Sequence, residues 1–119
     1  MMMIEWGRCA AWIASALHAG GEPYKLKDVR ERIESGDAQF WPGQRCAAVS
    51  RVIQHPRGRV LRIWLAGGDL GELSRMLGFA DEYARDNDCV AVEVEGRKGW
   101  ERVLSDYRPT SVVLRKEVN

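Results

Sequence analysis

The run Val60-Leu61-Arg62-Ile63-Trp64-Leu65-Ala66-Gly67-Gly68-Asp69-Leu70-Gly71 decides the fold of this chain of 119 residues. It is typical of a β-strand, Val60 to Leu65, that passes through a glycine-rich loop into an α-helix. A strand that enters a helix through glycines points backbone N–H groups at a ligand, and the helix dipole favours an anion there. The loop is therefore placed for a phosphate group, although it contains Asp69 and no lysine or arginine.

Two further strands are predicted before this run. Gln39 to Trp41 is followed by the turn residues Pro42 and Gly43, and Cys46 to Gln54 is joined to the next strand by the tight connection His55-Pro56-Arg57-Gly58. Three sequential strands with short connections favour an antiparallel meander. Alternation along the third strand would place one apolar set on a single face: Leu61, Ile63 and Leu65.

A helix, a strand, a short helix and a last strand are predicted after the loop. Asp69 is the expected N-cap of the first helix, which carries an apolar stripe to Ala84. The strand Cys89 to Glu95 should run parallel to its predecessor, because a helix separates the two in a right-handed crossover. A short helix after Gly96 and a final antiparallel strand, Ser111 to Lys116, complete the prediction.

The first third of the chain is predicted to be helical. Apolar residues recur at helical spacing from Trp6 to Leu17, and Gly20 with Gly21 supplies a stop. Leu26, Val29 and Ile33 form the stripe of a second helix. The prediction is an α+β fold with a mixed sheet, in one domain over 1–119, with a helical N-terminal part at 1–37 and the sheet and remaining helices at 38–119.

Composition and charge limit the classes of function. Apolar residues make up 45% of the chain and charged ones 29%, which suits one compact domain with a core. Because 18 Lys and Arg nearly cancel 17 Asp and Glu, without a block of one sign, binding to nucleic acid or to an acidic membrane is not expected. No window reaches the roughly 18 apolar residues of a membrane span, so a cytoplasmic protein is predicted.

The cysteines do not indicate a metal site or a nucleophile. Cys9, Cys46 and Cys89 are far apart, and neither His18 nor His55 lies at ligand spacing from one of them. We therefore expect buried, reduced thiols that act as small apolar side chains, and no bound metal.

The order of elements resembles the acyl-CoA N-acyltransferase (GNAT-like) fold over Ala38 to Val118, with two helices in place of the family's N-terminal strand and helices. Within it, the segment from Asp81 to Trp100, with Ala84-Arg85, Cys89, Glu95-Gly96-Arg97 and Gly99-Trp100, is similar to small GNAT-like proteins of tailed phages. The resemblance implies a phage protein located in the host cytoplasm or the virion, with a protein partner.

In that family the pantetheine arm of coenzyme A lies between two splayed parallel strands, here Val60 to Leu65 and Cys89 to Glu95. If coenzyme A binds, the resemblance implies contacts from these residues: Leu65, Ala66, Gly67, Gly68, Leu70 and Gly71. The loop departs from the family pattern in its glycine spacing, in the missing leading Gln or Arg, and in Asp69 at the helix end. At an effective dielectric constant near 20, two like charges about 4 Å apart cost on the order of 4 kcal/mol, more than the roughly 0.3 to 1 kcal/mol that a helix dipole returns.

The resemblance also concerns proton transfer. The family's general-acid tyrosine aligns with Trp100, whose indole N–H cannot act as an acid. Tyr107, at the exit of the last helix, is the remaining candidate acid. Glu95 is the candidate general base, because it lies at the carboxyl end of its strand. The alternative for Glu95 is a salt bridge to Arg62 or Arg97.

These features lead to two hypotheses of function. The first is a non-catalytic GNAT-like domain that contacts another protein in a phage particle or its assembly and needs no cofactor. The alternative is an N-acetyltransferase that moves an acetyl group from acetyl-CoA to an amine. The altered loop and the missing tyrosine favour the first.

Overall fold

Two helices precede a four-stranded mixed sheet in the computed structural model, which describes residues 2–20, 23–96 and 100–118. The elements are α1 (Met2–Gly20), α2 (Leu26–Ser35), β1 (Gln39–Pro42), β2 (Cys46–His55), β3 (Gly58–Gly68), α3 (Leu70–Asp86), β4 (Cys89–Val94) and α4 (Trp100–Val103). The predicted α+β class, the two N-terminal helices and the short helix α4 are confirmed. Gly21, the second residue of the predicted stop after α1, lies outside the described residues.

The sheet has the strand order β1-β2-β3-β4. β1, β2 and β3 form the predicted antiparallel meander, and β3 pairs with β4 in parallel from Arg59↔Cys89 to Ile63↔Val94. The parallel pair follows from α3, because only a crossover connection can return the chain to the same end of the sheet.

The third strand is longer than the sequence predicts. Residues 66–68, assigned above to the loop, belong to β3 and pair with residues 46–48 of β2. The small residues Ala47 and Ala48 let the two backbones continue their ladder to the end of the strand. Tertiary pairing thus overrides the turn preference of two consecutive glycines, and Asp69 alone separates β3 from α3.

A β-bulge corrects the predicted faces of β3. The register passes from Val49↔Leu65 to Ser50↔Ile63, which leaves Trp64 as an extra residue in β3. A bulge reverses the alternation beyond it. Leu65 therefore packs with Trp64 on the side of α1 and α2, whereas Leu61 and Ile63 face α3, so the prediction of one face for Leu61, Ile63 and Leu65 was wrong.

Two apolar cores lie on the two faces of the sheet. The core beneath α1 and α2 is built around Cys9, Ile13, Val29, Val49 and Trp64. The core beneath α3 is built around Cys46, Leu61, Ile63, Leu73 and Ala80. Each helix buries one stripe against the sheet, as the helical spacing of its apolar residues predicts.

The predicted last strand does not form. Leu104 is buried and Tyr107 is half-buried, but residues 108–118 are exposed, and Ser111 to Lys116 forms no strand. Its apolar run has no sheet edge beside it within the described part of the chain, and a strand without a partner strand is not stable in water. None of the described helices is long and apolar enough to cross a membrane.

Candidate active site

The pairing of the two parallel strands stops at their carboxyl ends, because β4 ends at Val94 whereas β3 continues to Gly68. The amide of Glu95 donates to the carbonyl of Ile63 at 3.0 Å, and the β3–β4 ladder ends there. β3 continues through Gly68, paired only with β2 over these residues. The bulge at Trp64 increases the local twist at this point. One edge of residues 64–68 therefore has no strand partner among the described residues, and this part of the sheet is called the gap below.

A narrow cavity lies beside this gap on the α3 side of the sheet. Its volume is about 10 Å³, close to the space needed for one water molecule. The lining is formed by apolar and aromatic side chains from β1 through α4: Trp41, Ala48, Ile63, Ala66, Leu73, Met76, Leu77, Ala80, Val94 and Trp100. Ile63 of β3 and Val94 of β4 form the last pair of the ladder and both line the cavity, so the cavity lies on the α3 face at the point where the ladder ends.

The N-terminus of α3 forms the polar end of this gap. Asp69 is its N-cap, as predicted, and its Oδ2 accepts a hydrogen bond from the amide of Glu72 at 2.9 Å. The carboxylate thus occupies the helix end where an anion would be stabilised. The amides of Leu70 and Gly71 take no partner from the described residues, which leaves two donors for a ligand.

Glycine occurs at three positions around this helix end for different structural reasons. A Cβ on Gly67 would come within 2.5 Å of the Trp12 carbonyl oxygen in α1. Gly68 has φ +105°, and a Cβ there would come within 2.6 Å of the Cys46 Cα. Both are needed for close packing of the chain itself. A Cβ on Gly71 would meet only Asp69 Oδ2 at 3.4 Å and Arg75 Nη1 at 3.7 Å, so packing does not require a glycine there.

Two arginines that sequence analysis missed lie beside the same helix end. The Arg75 guanidinium is next to Gly71, one turn along α3. Arg45, from the β1–β2 loop, donates its amide to Glu72 Oε1 at 3.2 Å, and its carbonyl accepts from the Asp69 amide at 2.8 Å. The spacing of four residues between Gly71 and Arg75 could have indicated the first, because such residues are neighbours on a helix. No sequence signal indicates Arg45.

Cys46 and Glu72 form a buried contact behind this helix end. Cys46 Sγ lies 3.0 Å from Glu72 Oε1. Burial, followed by the carboxylate, raises the pKa of the thiol to about 12, while the thiol and the Arg45 amide lower the pKa of Glu72. Cys46 is therefore protonated at neutral pH and is not a nucleophile. Cys9 is also buried, as expected for a thiol that acts as an apolar side chain.

The predicted catalytic residues occupy different places. Glu95 is exposed and directly follows the last residue pair of the β3–β4 ladder. Arg62, one of the two alternative partners of Glu95, pairs with Glu93 at 2.8 Å, and the other, Arg97, lies outside the described residues. Tyr107 lies near Asp81, about three turns along α3 from the helix end. Burial, with Asp81 and Asp106, raises the pKa of Tyr107.

Only some of the residues predicted to contact the cofactor lie beside the cavity or at the helix end. Ala66 lines the cavity, and the amides of Leu70 and Gly71 point from the helix end. The side chain of Leu65 is turned to the opposite core by the bulge. Trp100, the residue at the family's tyrosine position, lines the cavity, and a Cβ on Gly96 would lie 2.8 Å from its Nε1.

The described ranges contain no cluster of side chains suited to bind a metal ion. There, no three His, Cys, Asp or Glu side chains come together in a way that could hold an ion. The site is thus an apolar gap bounded by a helix N-terminus with carboxylates and arginines, and an exposed glutamate.

Comparison with known proteins gives a match in structure but not in sequence. No protein-family model matches the chain. No curated protein matches it in sequence.

Among solved structures, wild-type TTHA1254 from Thermus thermophilus is similar, with a TM-score of 0.63 and 18% identity over 97% of this chain and 91% of that one. A possible acetyltransferase from Clostridium difficile 630 has a TM-score of 0.65 and 11% identity over 98% and 93% of the two chains. A GNAT family acetyltransferase from Staphylococcus aureus has a TM-score of 0.58 and 12% identity over 88% and 86%.

At such low identity these likenesses concern the fold. They cover nearly the whole chain, and nothing in them indicates the phage origin expected from the sequence. The chain therefore has a GNAT-like fold.

Proposed function

We propose that the chain is an N-acyltransferase that transfers an acetyl group from acetyl-CoA to an amine. The observation that carries this proposal is the end of the β3–β4 ladder at Ile63 and Val94, from which β3 continues to Gly68 next to an apolar cavity. A strand edge with free N–H and C=O groups suits the amide groups of a pantetheine arm, and the apolar lining suits its methylene groups. The acetyltransferases named above share this fold, which supports the same interpretation.

The helix end fits the diphosphate of coenzyme A only in part. The amides of Leu70 and Gly71 and the guanidinium of Arg75 are suitable donors for phosphate oxygens. The carboxylate of Asp69 opposes them, because it already accepts from Glu72 and would repel a second anion. We expect binding that is weakened by Asp69 rather than abolished.

The proposed chemistry assigns roles to two side chains. The amine nitrogen attacks the thioester carbon, a C–N bond forms, and the C–S bond breaks to release the thiol. Glu95, exposed where the β3–β4 ladder ends, takes up the proton lost by the amine through a water molecule. Tyr107 is the candidate donor of a proton to the leaving sulfur, and its raised pKa keeps it protonated at neutral pH.

A binding and turnover experiment tests this proposal. Calorimetric titration with acetyl-CoA should give a Kd below about 100 μM, equivalent to roughly 5.5 kcal/mol. Release of coenzyme A in the presence of a panel of primary amines is then followed by chromatography. The rate of acetyl transfer should fall about 100-fold in Glu95→Gln, whereas the affinity for acetyl-CoA should not change. Glu82→Gln, which removes an exposed carboxylate on α3, is the matched control. Unchanged turnover in Glu95→Gln would remove Glu95 from the mechanism.

A second candidate is a non-catalytic domain that contacts another protein. The Asp69 cap favours it, because that carboxylate fills the place of an anionic ligand. Absence of acetyl-CoA binding to both the native chain and a variant without the Asp69 charge would favour this candidate over the enzyme. A protein partner and a cytoplasmic location, without nucleic acid or membrane, remain predictions from the sequence.

A further inference from the structure

The sheet face opposite α3 carries a row of charged side chains near the end of the β3–β4 ladder. Arg51 of β2 lies directly across from Arg62 of β3, and Arg62 pairs with Glu93 of β4 at 2.8 Å. Leu61 and Ile63, on either side of Arg62, belong to the core beneath α3, so alternation places this row on the face of α1 and α2. The side chains of Arg62 and Glu93 are 33% and 36% exposed, so solvent reaches the row.

Two arginines at this face stack on aromatic rings. The guanidinium carbon of Arg51 lies 5.2 Å from the centroid of the Trp64 ring. The guanidinium carbon of Arg32, from α2, lies 5.3 Å from the centroid of the Tyr24 ring. The two rings meet edge to face, with 4.9 Å between their centroids. The four side chains therefore form one connected cluster on the side of the sheet that faces α1 and α2.

Neither arginine of this cluster has its charge compensated within the described part of the chain. The ion pairs found there involve other arginines, and Glu93 pairs with Arg62. Stacking uses the flat face of a guanidinium, whereas its N–H donors lie in the plane of the group. Such a fork of donors fits a carboxylate or a phosphate in a bidentate geometry. Arg51 and Arg32 thus form a half-buried, positively charged site that suits an anion.

This site shares its sheet face with Glu95. Val94 lines the cavity on the α3 side, so alternation along β4 places Glu95 on the opposite face, together with Glu93. In the proposed function acetyl-CoA occupies the α3 side, where the cavity and the helix end lie, which leaves the other face for the acceptor. Two strand spacings separate β2 from β4, about 10 Å, so an acceptor of a few carbon atoms can extend from Glu95 toward Arg51.

We propose that Arg51 and Arg32 bind an anionic group of the acceptor, so that the chain acetylates amines that also carry a carboxylate or a phosphate. This inference rests on the proposed acetyltransferase function and names its substrate class. A bidentate, charge-assisted hydrogen bond fixes orientation as well as affinity, and it would hold the amine on the side of Glu95. An acceptor with positive charges only would be repelled by the same two arginines.

Acceptors that differ only in the anionic group test this proposal. β-Alanine and β-alaninamide differ by one charge at nearly equal size, and O-phosphoethanolamine and ethanolamine are the corresponding pair for phosphate. The kcat/KM for acetylation, followed by release of coenzyme A, should be at least about tenfold higher for the anionic member of a pair, because hydrogen bonds between charged groups are the strong ones. The pair with the larger ratio identifies the anion as a carboxylate or a phosphate.

Substitution of the arginines connects this ratio to the site. Arg51→Gln should reduce the ratio to near one, and Arg32→Gln should also lower it. Arg51→Lys keeps the charge but loses the planar fork, so it should give an intermediate ratio. Arg57→Gln is the matched control, because Arg57 is exposed in the connection between β2 and β3 at the other end of these strands, and it should keep the native ratio. Circular dichroism verifies that each variant is folded.

Binding at Arg51 can also be measured without acetyl-CoA. The NMR signal of the Arg51 Nε–H group, assigned by its loss in Arg51→Lys, should shift on titration with β-alanine or O-phosphoethanolamine and not with β-alaninamide. Equal kcat/KM values within both pairs, or a ratio that persists in Arg51→Gln, would overturn this inference and leave the acetyltransferase standing. If no amine is acetylated, the proposed function fails, and an Arg51 signal that neither anionic amine shifts would overturn the anion site as well.

Discussion

At the scale of single residues, Asp69 determines how well the helix end can receive an anion. Its carboxylate accepts from the Glu72 amide at 2.9 Å, and Glu72 in turn binds the Cys46 thiol and the Arg45 amide. A capping carboxylate stabilises a helix by about 0.5 to 2 kcal/mol, so its presence has a purely structural reason as well. The same charge disfavours binding of the diphosphate of acetyl-CoA at this helix end.

Removal of this charge should strengthen the binding of acetyl-CoA. Asp69→Ser keeps a side chain that can cap the helix but removes the repulsion, which amounts to about 1 kcal/mol or more at 4 Å. We expect the Kd, measured by calorimetry, to fall at least about fivefold. Asp86→Ser is the matched control, because it removes an equal charge at the opposite end of α3, roughly 24 Å away. Equal affinities of Asp69→Ser and the native chain would show that no diphosphate lies at this helix end.

At the scale of elements, the N-terminus of α3 combines packing requirements with a ligand site. Gly67 and Gly68 are explained by the close approach of α1 and of the β1–β2 loop. Gly71 is not explained in this way, since a Cβ there would make only ordinary contacts. A glycine within a helix costs about 0.5 to 1 kcal/mol relative to alanine, and in the proposed function its lack of a side chain would let acetyl-CoA approach the helix end closely.

Substitution of Gly71 by alanine distinguishes an effect on stability from an effect on acetyl-CoA binding. Gly71→Ala should raise the free energy of unfolding by up to about 1 kcal/mol and weaken acetyl-CoA binding. Gly78→Ala, in the same helix with no atom within 4 Å of the added Cβ, should raise stability similarly and leave binding unchanged. Urea denaturation and calorimetry measure the two effects. If both variants bind acetyl-CoA as the native chain does, Gly71 has no role in ligand approach.

Most elements could be predicted from the sequence because their signals are local. Asp69 as the N-cap, the apolar stripe of α3 and the crossover to β4 depend on neighbouring residues and on connection length. The bulge at Trp64 has no local signal, since it depends on how β2 pairs opposite it. The last strand was predicted from propensity alone, and it fails because pairing requires an edge that the chain does not bring to it.

At the scale of the whole molecule, the sheet carries two apolar cores, one on each face. Ile13 packs in the core beneath α1 and Leu61 in the core beneath α3, and neither side chain is exposed. The prediction of a single domain over 1–119 depends on cooperation between these cores, because the two lie on opposite faces of one sheet.

Truncation in either core should lower the stability of one common transition. Ile13→Ala and Leu61→Ala should each cost about 2 to 5 kcal/mol, and each should shift a single cooperative unfolding curve. Val113→Ala, at an 86% exposed position, should change stability by less than about 0.5 kcal/mol. Thermal unfolding followed by calorimetry and by tryptophan fluorescence gives the measurement. Two separate transitions in either core variant would contradict the single domain.

The sequence by itself determined the fold class, the order of elements from α1 to α4 and the carboxylate at the start of α3, because periodicity, connection length and capping are properties of residues close together in the chain. Only the tertiary structure decided that Arg45 and Arg75 flank that helix end and that Leu65 faces away from the cavity. It also decided that the β3–β4 ladder ends at Ile63 and that residues 111–118 stay outside the sheet. Each of these features depends on contacts between segments that are distant in the sequence, and local sequence patterns do not predict the geometry of such contacts.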